Sequence, residues 1–258
     1  MDNFFITKYF DWQVRRSSNI DRALNLLTKR FGFRPNTAGF VDRLIHRVTG
    51  LSLGPTRSGI STNIEQRVNM YHLVSQVIAY KVDGDLVEVG CNQGQSAVLM
   101  KKVMDSYGSC KRLHVYDSFE GLPSVGGEDG SSYKKGDLAT SEEVLRRNFR
   151  LHSLEFPEIH KGWFENTLPG SLPDKICFAH LDGDLYDSIM ISLKHVYPRL
   201  SGGAICLIDD YCDKEINPNG WNYLPGVKHA CDDYMADKPE TICYLYSGTF
   251  THGFFRKI

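Results

Sequence analysis

Two acidic clusters follow two apolar runs. His180-Leu181-Asp182-Gly183-Asp184 closes the run Ile176–Leu181, and Asp209-Asp210 closes the run Ala204–Ile208. Short apolar runs bounded by turn residues read as buried strands. In a parallel sheet, the carboxyl ends of neighbouring strands open onto one crevice. Asp182, Asp209 and Asp210 then bring up to three carboxylates together, a crowding that calls for protons or a cation. Oxygen donors without histidine or cysteine favour Mg2+, with Mn2+ or Ca2+ as substitutes. An ion held there orients a substrate hydroxyl and lowers its pKa. Asp184, two residues beyond Asp182, is placed to take the proton as general base. A local reading also exists, with Asp182 and Asp184 capping the next helix and Asp209-Asp210 in a turn. It explains one cluster more easily than two at neighbouring strand ends.

A second feature lies upstream. Val87-Glu88-Val89-Gly90-Cys91-Asn92-Gln93-Gly94-Gln95-Ser96 reads as a strand, a glycine turn and a helix start. Glycines let the backbone approach a ligand, and a helix start offers free N–H groups. The spacing of Gly90 and Gly94 is not G-x-G-x-x-G, so the dinucleotide fingerprint is absent. Asp117 ends the next strand, where an acid accepts both hydroxyls of a ribose. Glu88, Gly90, Gly94, Ser96, Asp117 and Ser118 therefore form a candidate cofactor site, with Trp163 a candidate adenine contact. With no phosphate cradle, the site fits S-adenosylmethionine better than NAD.

The elements that must position these groups alternate. A helix is expected from Thr62-Asn63 to about Tyr80, capped by Asn63. Strands are expected at Asp85–Val89, Arg112–Tyr116, Glu158–Lys161, Ile176–Leu181 and Ala204–Ile208, the last entered through a Gly202-Gly203 turn. Helices are expected at Ser96–Tyr107, from Ser141 to about Leu151, at Ser188–Tyr197 and at Val227–Ala236. Two late β-rich runs, Thr241–Tyr246 and Thr249–Arg256, suggest an antiparallel edge. Such alternation implies an α/β, mostly parallel sheet. Ser118 to Thr140 is a long glycine-rich loop, and loops of that length are usually functional. Residues 1–60 read as an N-terminal helical extension or cap, and 61–258 as the domain that holds the site.

The chain has 258 residues, 30 basic and 31 acidic, for a formal net charge of −1. That balance gives no electrostatic reason to expect nucleic acid or a membrane as partner. No apolar run reaches the roughly 18 residues that span a bilayer. The seven cysteines are scattered without a C-x-x-C pair, which reads as reduced thiols in the cytoplasm. His46, His72, His114 and His195 stand apart from other ligand types and read as packed or surface residues.

With these residues assembled, the chain resembles the macrocin O-methyltransferase (TylF-like) family of S-adenosylmethionine- and magnesium-dependent sugar O-methyltransferases. The resemblance runs from about Glu65 onward. It rests on Val87-Glu88-Val89-Gly90, Tyr116-Asp117-Ser118-Phe119-Glu120-Gly121-Leu122-Pro123, Lys161-Gly162-Trp163-Phe164 with Thr167-Leu168-Pro169, His180-Leu181-Asp182-Gly183-Asp184-Leu185-Tyr186, and Ile208-Asp209-Asp210-Tyr211. It implies a class I methyltransferase (Rossmann-like) fold with a seven-stranded sheet and helices on both faces. By position, Asp182, Asp209 and Asp210 fall on the family's metal ligands, Asp184 on its proposed base, and Glu88, Asp117 and Ser118 in its cofactor motifs. Asp182 also borders the cofactor site. The family often has adjacent glycines in the first turn, where this chain has Gly94-Gln95. The resemblance further implies a homo-oligomer, dimer or tetramer, and a small sugar-containing acceptor. By the same analogy His252, near the end of the sequence, is open to substrate contact. Three other readings compete: a catechol-like diol as acceptor, a non-catalytic cofactor-binding subunit, and a nicotinamide oxidoreductase, which the missing dinucleotide fingerprint disfavours.

Overall fold

The computed structural model describes residues 64–248 and 250–258. The expected extension over residues 1–60 and the Asn63 cap lie outside these residues. The elements run in chain order as α1 (Ile64–Ala79), β1 (Asp85–Val89), α2 (Gln95–Ser106), β2 (Leu113–Asp117), α3 (Glu142–Leu151), β3 (Glu158–Lys161), α4 (Phe164–Ser171), β4 (Ile176–Leu181), α5 (Tyr186–Val196), β5 (Leu200–Asp209), α6 (Pro225–Met235), β6 (Cys243–Ser247) and β7 (Phe250–Arg256).

The strands form one seven-stranded sheet in the order β3-β2-β1-β4-β5-β7-β6. The first five are parallel, and β7 runs antiparallel between β5 and β6. Central parallel strands are covered on both faces, which is why they are continuously apolar. All six residues of β4 are buried, and in β1 only Asp85 is partly exposed. The helices form two packed groups: α1 on α2 and α2 on α3, then α4 on α5 and α5 on α6. In α3, Ser141 caps the amino end by accepting the Val144 N–H at 3.4 Å, and Leu145 and Phe149 supply the buried stripe.

Two elements depart from the sequence expectation. Helix α4 has no counterpart among the expected elements; Pro169 falls in its last turn, and Leu168 is buried. The Gly202-Gly203 turn is instead part of β5. The pairing jumps from Ile176↔Leu200 to Phe178↔Ile205, and Gly203 takes φ +84° in the resulting bulge.

A polar clamp holds the far end of the sheet. Glu240, 6% exposed, accepts the Tyr197 hydroxyl at 2.6 Å, the Lys257 ammonium at 2.6 Å and the Ile258 N–H at 3.1 Å. Burial alone would raise this carboxyl, but Lys257 and Tyr197 outweigh it and hold it down to about 2. A folded pKa below the unfolded 4.5 stabilises the fold above pH 4.5, and that contribution is lost as pH falls towards 2. Glu240→Gln is expected to lower unfolding free energy at pH 7 by on the order of 2 kcal/mol. Denaturant melts of variant and wild type should converge between pH 4.5 and 2; a constant gap would remove Glu240 as the cause.

Candidate active site

The carboxyl ends of β1, β2, β4 and β5 lie side by side, because β1 pairs with both β2 and β4 and β4 pairs with β5. Gly90 makes the closest of these approaches possible. It sits at φ +91°, and a Cβ there would lie 1.8 Å from the Asp182 carbonyl oxygen. The Asp182 N–H in turn donates to the Val89 carbonyl at 2.8 Å. The turn after β1 and the acids after β4 are thus in direct backbone contact. Gly94 opens α2 in the left-handed region, with Leu145 against its α-carbon.

Around that turn, the Asp117 carboxylate accepts the Asn92 N–H on one oxygen and the Phe119 N–H on the other, both at 2.7 Å. Each oxygen keeps a lone pair for a further donor. Burial raises the Asp117 carboxyl, and these backbone bonds act against that. Ser118 is buried and its hydroxyl shapes the loop, accepting from Glu120 N–H at 3.1 Å and donating to the Gly121 carbonyl at 3.3 Å. Ser96 donates to Glu88, not towards solvent. Trp163 is half-buried at the amino end of α4.

The four acids converge. One carboxylate oxygen from each of Asp182, Asp184 and Asp210 lies within 4.8 Å of the others, and Asp182 and Asp209 form a second such group with His180. Asp184 and Asp210 both have positive φ, 61° and 55°. Non-glycine residues hold that conformation at a cost, and such positions cluster at functional sites. Burial, then Asp209, Asp184 and Asp210, push the Asp182 carboxyl well above its ordinary range. Asp210 is likewise pushed well up, by burial and then by Asp209 and Asp184. Asp184 is pushed up to about 7 by burial, then by Asp209 and Asp117. Carboxylates displaced in this way are short of positive charge. A donor set made only of oxygens fits a hard divalent cation, Mg2+ in the first place.

Asp209 behaves differently. Its Oδ1 takes the Gln66 amide at 2.9 Å, the Asp210 N–H at 3.1 Å and His252 Nε2 at 3.0 Å. Burial pushes it up, but His252 and His180 outweigh that and hold it below its ordinary value. His252 is 1% exposed, so its imidazole meets Asp209 and not solvent. The sequence offered no signal for Gln66 or for the bond from His180 Nδ1 to Glu88 at 2.9 Å. Both depend on register between strands and helices far apart in the chain. The Ser118–Thr140 loop adds Tyr133, whose phenol is raised by burial and then by Asp184 and Asp210. Asp129 pins that loop, accepting the Tyr186 N–H at 2.6 Å at the start of α5.

Strand order and site together define a class I methyltransferase fold, with a nucleoside-type cofactor end beside an acidic end. A profile of the macrocin-O-methyltransferase (TylF) family matches residues 52–234. The demethyldecarbamoylnovobiocin O-methyltransferase of Streptomyces niveus is 34% identical over 193 residues, 70% of this chain and 70% of that relative. The mycinamicin III 3''-O-methyltransferase of Micromonospora griseorubida is 31% identical over 70% of this chain and 71% of its own. Among solved structures, the O-methyltransferase NovP superposes with a TM-score of 0.64 at 31% identity, covering 76% of this chain and 80% of NovP. The calicheamicin methyltransferase CalS11 shares the fold, with a TM-score of 0.59 at 17% identity over 87% of this chain and 94% of its own. The chain belongs to the macrocin O-methyltransferase (TylF) family and is an S-adenosylmethionine-dependent O-methyltransferase.

The contact at Gly90 is directly testable. Gly90→Ala must part β1 from β4, and it should cost on the order of 3 kcal/mol of stability and abolish S-adenosylmethionine binding. An unchanged denaturation midpoint with intact binding would contradict the contact.

Proposed function

We propose that the enzyme transfers the methyl group of S-adenosylmethionine to a hydroxyl of a sugar or glycosylated small molecule, with a divalent cation held by Asp182, Asp209 and Asp210. The observation that carries the cation is the convergence of four carboxylates, Asp209 buried and the other three half-buried with raised pKa values. The relatives, named for antibiotic substrates, support a sugar-bearing acceptor. When bound, the cation would supply a positive centre that attracts acceptor oxygens and lowers their pKa.

The chain's own residues do the rest. Asp117 accepts the ribose hydroxyls and orients the cofactor over the turn after β1. Glu88, Gly90, Gly94, Ser96 and Ser118 shape that pocket, and Trp163 lies beside it. Asp184 Oδ takes the proton from the acceptor hydroxyl as the oxygen attacks the methyl carbon in line. The carbon–sulfur bond breaks, the sulfonium becomes a neutral thioether, and Asp184 returns its proton to solvent. Positioning and preorganised charge supply most of the rate. The Ser118–Thr140 loop, pinned by Asp129, excludes water from this step. Residues 1–60 are assigned to a helical extension that contributes to a homo-oligomer, dimer or tetramer. We assign the enzyme to the cytoplasm, in keeping with its seven free cysteines; no described helix is long and apolar enough to cross a membrane.

Calorimetric titration with Mg2+ tests the cation. Wild type should bind one ion per chain, and Asp209→Ala/Asp210→Ala should lose the signal while still binding S-adenosylmethionine. No Mg2+ signal in the wild type, with or without cofactor and a sugar acceptor, would sink the cation reading and leave methyl transfer standing. Asp184→Asn should lower kcat by roughly 10²–10⁴-fold with cofactor affinity unchanged. Near wild-type turnover would remove Asp184 as the base.

A further inference from the structure

A second group of ligand atoms lies on the other edge of the sheet. His114, read from the sequence as an isolated residue, meets His160 and Glu158 across the β2–β3 pair. The registers His114↔Glu158 and Tyr116↔His160 put all four side chains on one face. His114 Nδ1 lies 3.3 Å from His160 Nε2 and 3.4 Å from Glu158 Oε2. One donor atom from each of the three lies within 4.8 Å of the other two. Ligand atoms at about 2.0–2.1 Å from a tetrahedral Zn2+ stand roughly 3.3–3.4 Å apart. The two measured edges have that length with no ion present.

The surroundings orient each donor. His114 Nε2 faces Asp85 Oδ2 at 3.5 Å, a carboxylate behind an imidazole. In the tautomer that donates Nε2–H to Asp85, the Nδ1 lone pair points at the Glu158 carboxylate. Arg112 holds the outer oxygen of Glu158 at 3.0 Å and Asp85 at 3.0 Å, which turns Glu158 Oε2 inward. Tyr116 stacks on the His160 ring at 4.4 Å and 9° and fixes its plane. Burial, then His114, lower the His160 pKa. Asp85, Glu158 and Arg112 together carry one net negative charge.

We propose that His114 Nδ1, His160 Nε2 and Glu158 Oε2 form a second metal site that takes a borderline divalent ion, Zn2+ above all, with one position open to solvent. Two imidazoles and a carboxylate select such ions over Mg2+, whereas the all-oxygen cluster after β4 and β5 does the reverse. Three strand spacings separate β3 from β4, so the two sites are on the order of 10–15 Å apart. An ion here clamps the edge strand β3 to β2 and stabilises the folded state by mass action.

Co2+ is the probe, because tetrahedral Co2+ gives intense visible absorption and octahedral Co2+ does not. The full-length protein is first saturated with Mg2+ and then titrated with Co2+. The expected result is an intense visible band that saturates at one Co2+ per chain, is displaced by Zn2+, and accompanies a rise in Tm. His160→Ala should weaken binding by about 100-fold or more, and Asp85→Asn by about tenfold. His160 is only half-buried, so its variant should fold, and matching circular dichroism and metal-free Tm would establish that. Glu158→Gln, at an exposed position, gives a second test that leaves the core untouched. No intense band in the wild type, or a band undiminished in a folded His160→Ala, overturns the site and leaves a proton between His114 and Glu158 as the bridge.

Discussion

Carboxylates packed together repel one another, and the carboxyl ends of β4 and β5 gather four of them. Asp182, Asp184 and Asp210 have little choice of position. Their backbones are fixed by the ends of β4 and β5, and two of the three are held at positive φ. The fold does not relax the crowding by letting the side chains diverge. It offsets part of it locally, where His252 and Gln66 gather on one oxygen of Asp209. Burial first, and then the remaining repulsion, raise the Asp182 and Asp210 carboxyls, which favours a positive charge beside them.

The cofactor end depends on the same geometry through one glycine. Gly90 lets the turn after β1 lie directly against the backbone of Asp182, so that turn and the acids after β4 are held in contact. Beneath that contact, Glu88 and His180 sit opposite each other in neighbouring strands, fully buried and hydrogen-bonded. Glu88 also receives the Ser96 hydroxyl from the first turn of α2. One buried carboxylate therefore ties β1, β4 and the cofactor helix together. The reacting atoms of a methyl transfer must be closely aligned, and a rigid backbone contact between adjacent strand ends suits that demand.

Much of this was legible in the sequence, for a physical reason. Parallel strands buried on both faces are short apolar runs, so Asp85–Val89 and Ile176–Leu181 can be bounded by eye, and the acid that follows Ile176–Leu181 comes with them. Strand order then gathers Asp117, Asp182, Asp184, Asp209 and Asp210 at one end. What stayed hidden depends on pairing over long separations. His252 lies opposite Asp209 only because β7 inserts beside β5. His114 looked solitary because His160 and Glu158 come from a strand more than forty residues away. Helix α4 buries only Leu168, so its eight residues carry no apolar stripe to read.

The insertion of β7 between β5 and β6 also says something about how the molecule assembles. β6 precedes β7 in the chain yet has no bond to β5, so it cannot join the sheet until its successor has docked. Until then β5 is an open edge beside a half-formed acidic crevice, and such an edge invites pairing with a foreign strand. The antiparallel β6–β7 hairpin covers that edge, and the same strand β7 places His252 opposite Asp209. Covering the edge of β5 and completing the hydrogen bonds of Asp209 thereby rest on one strand.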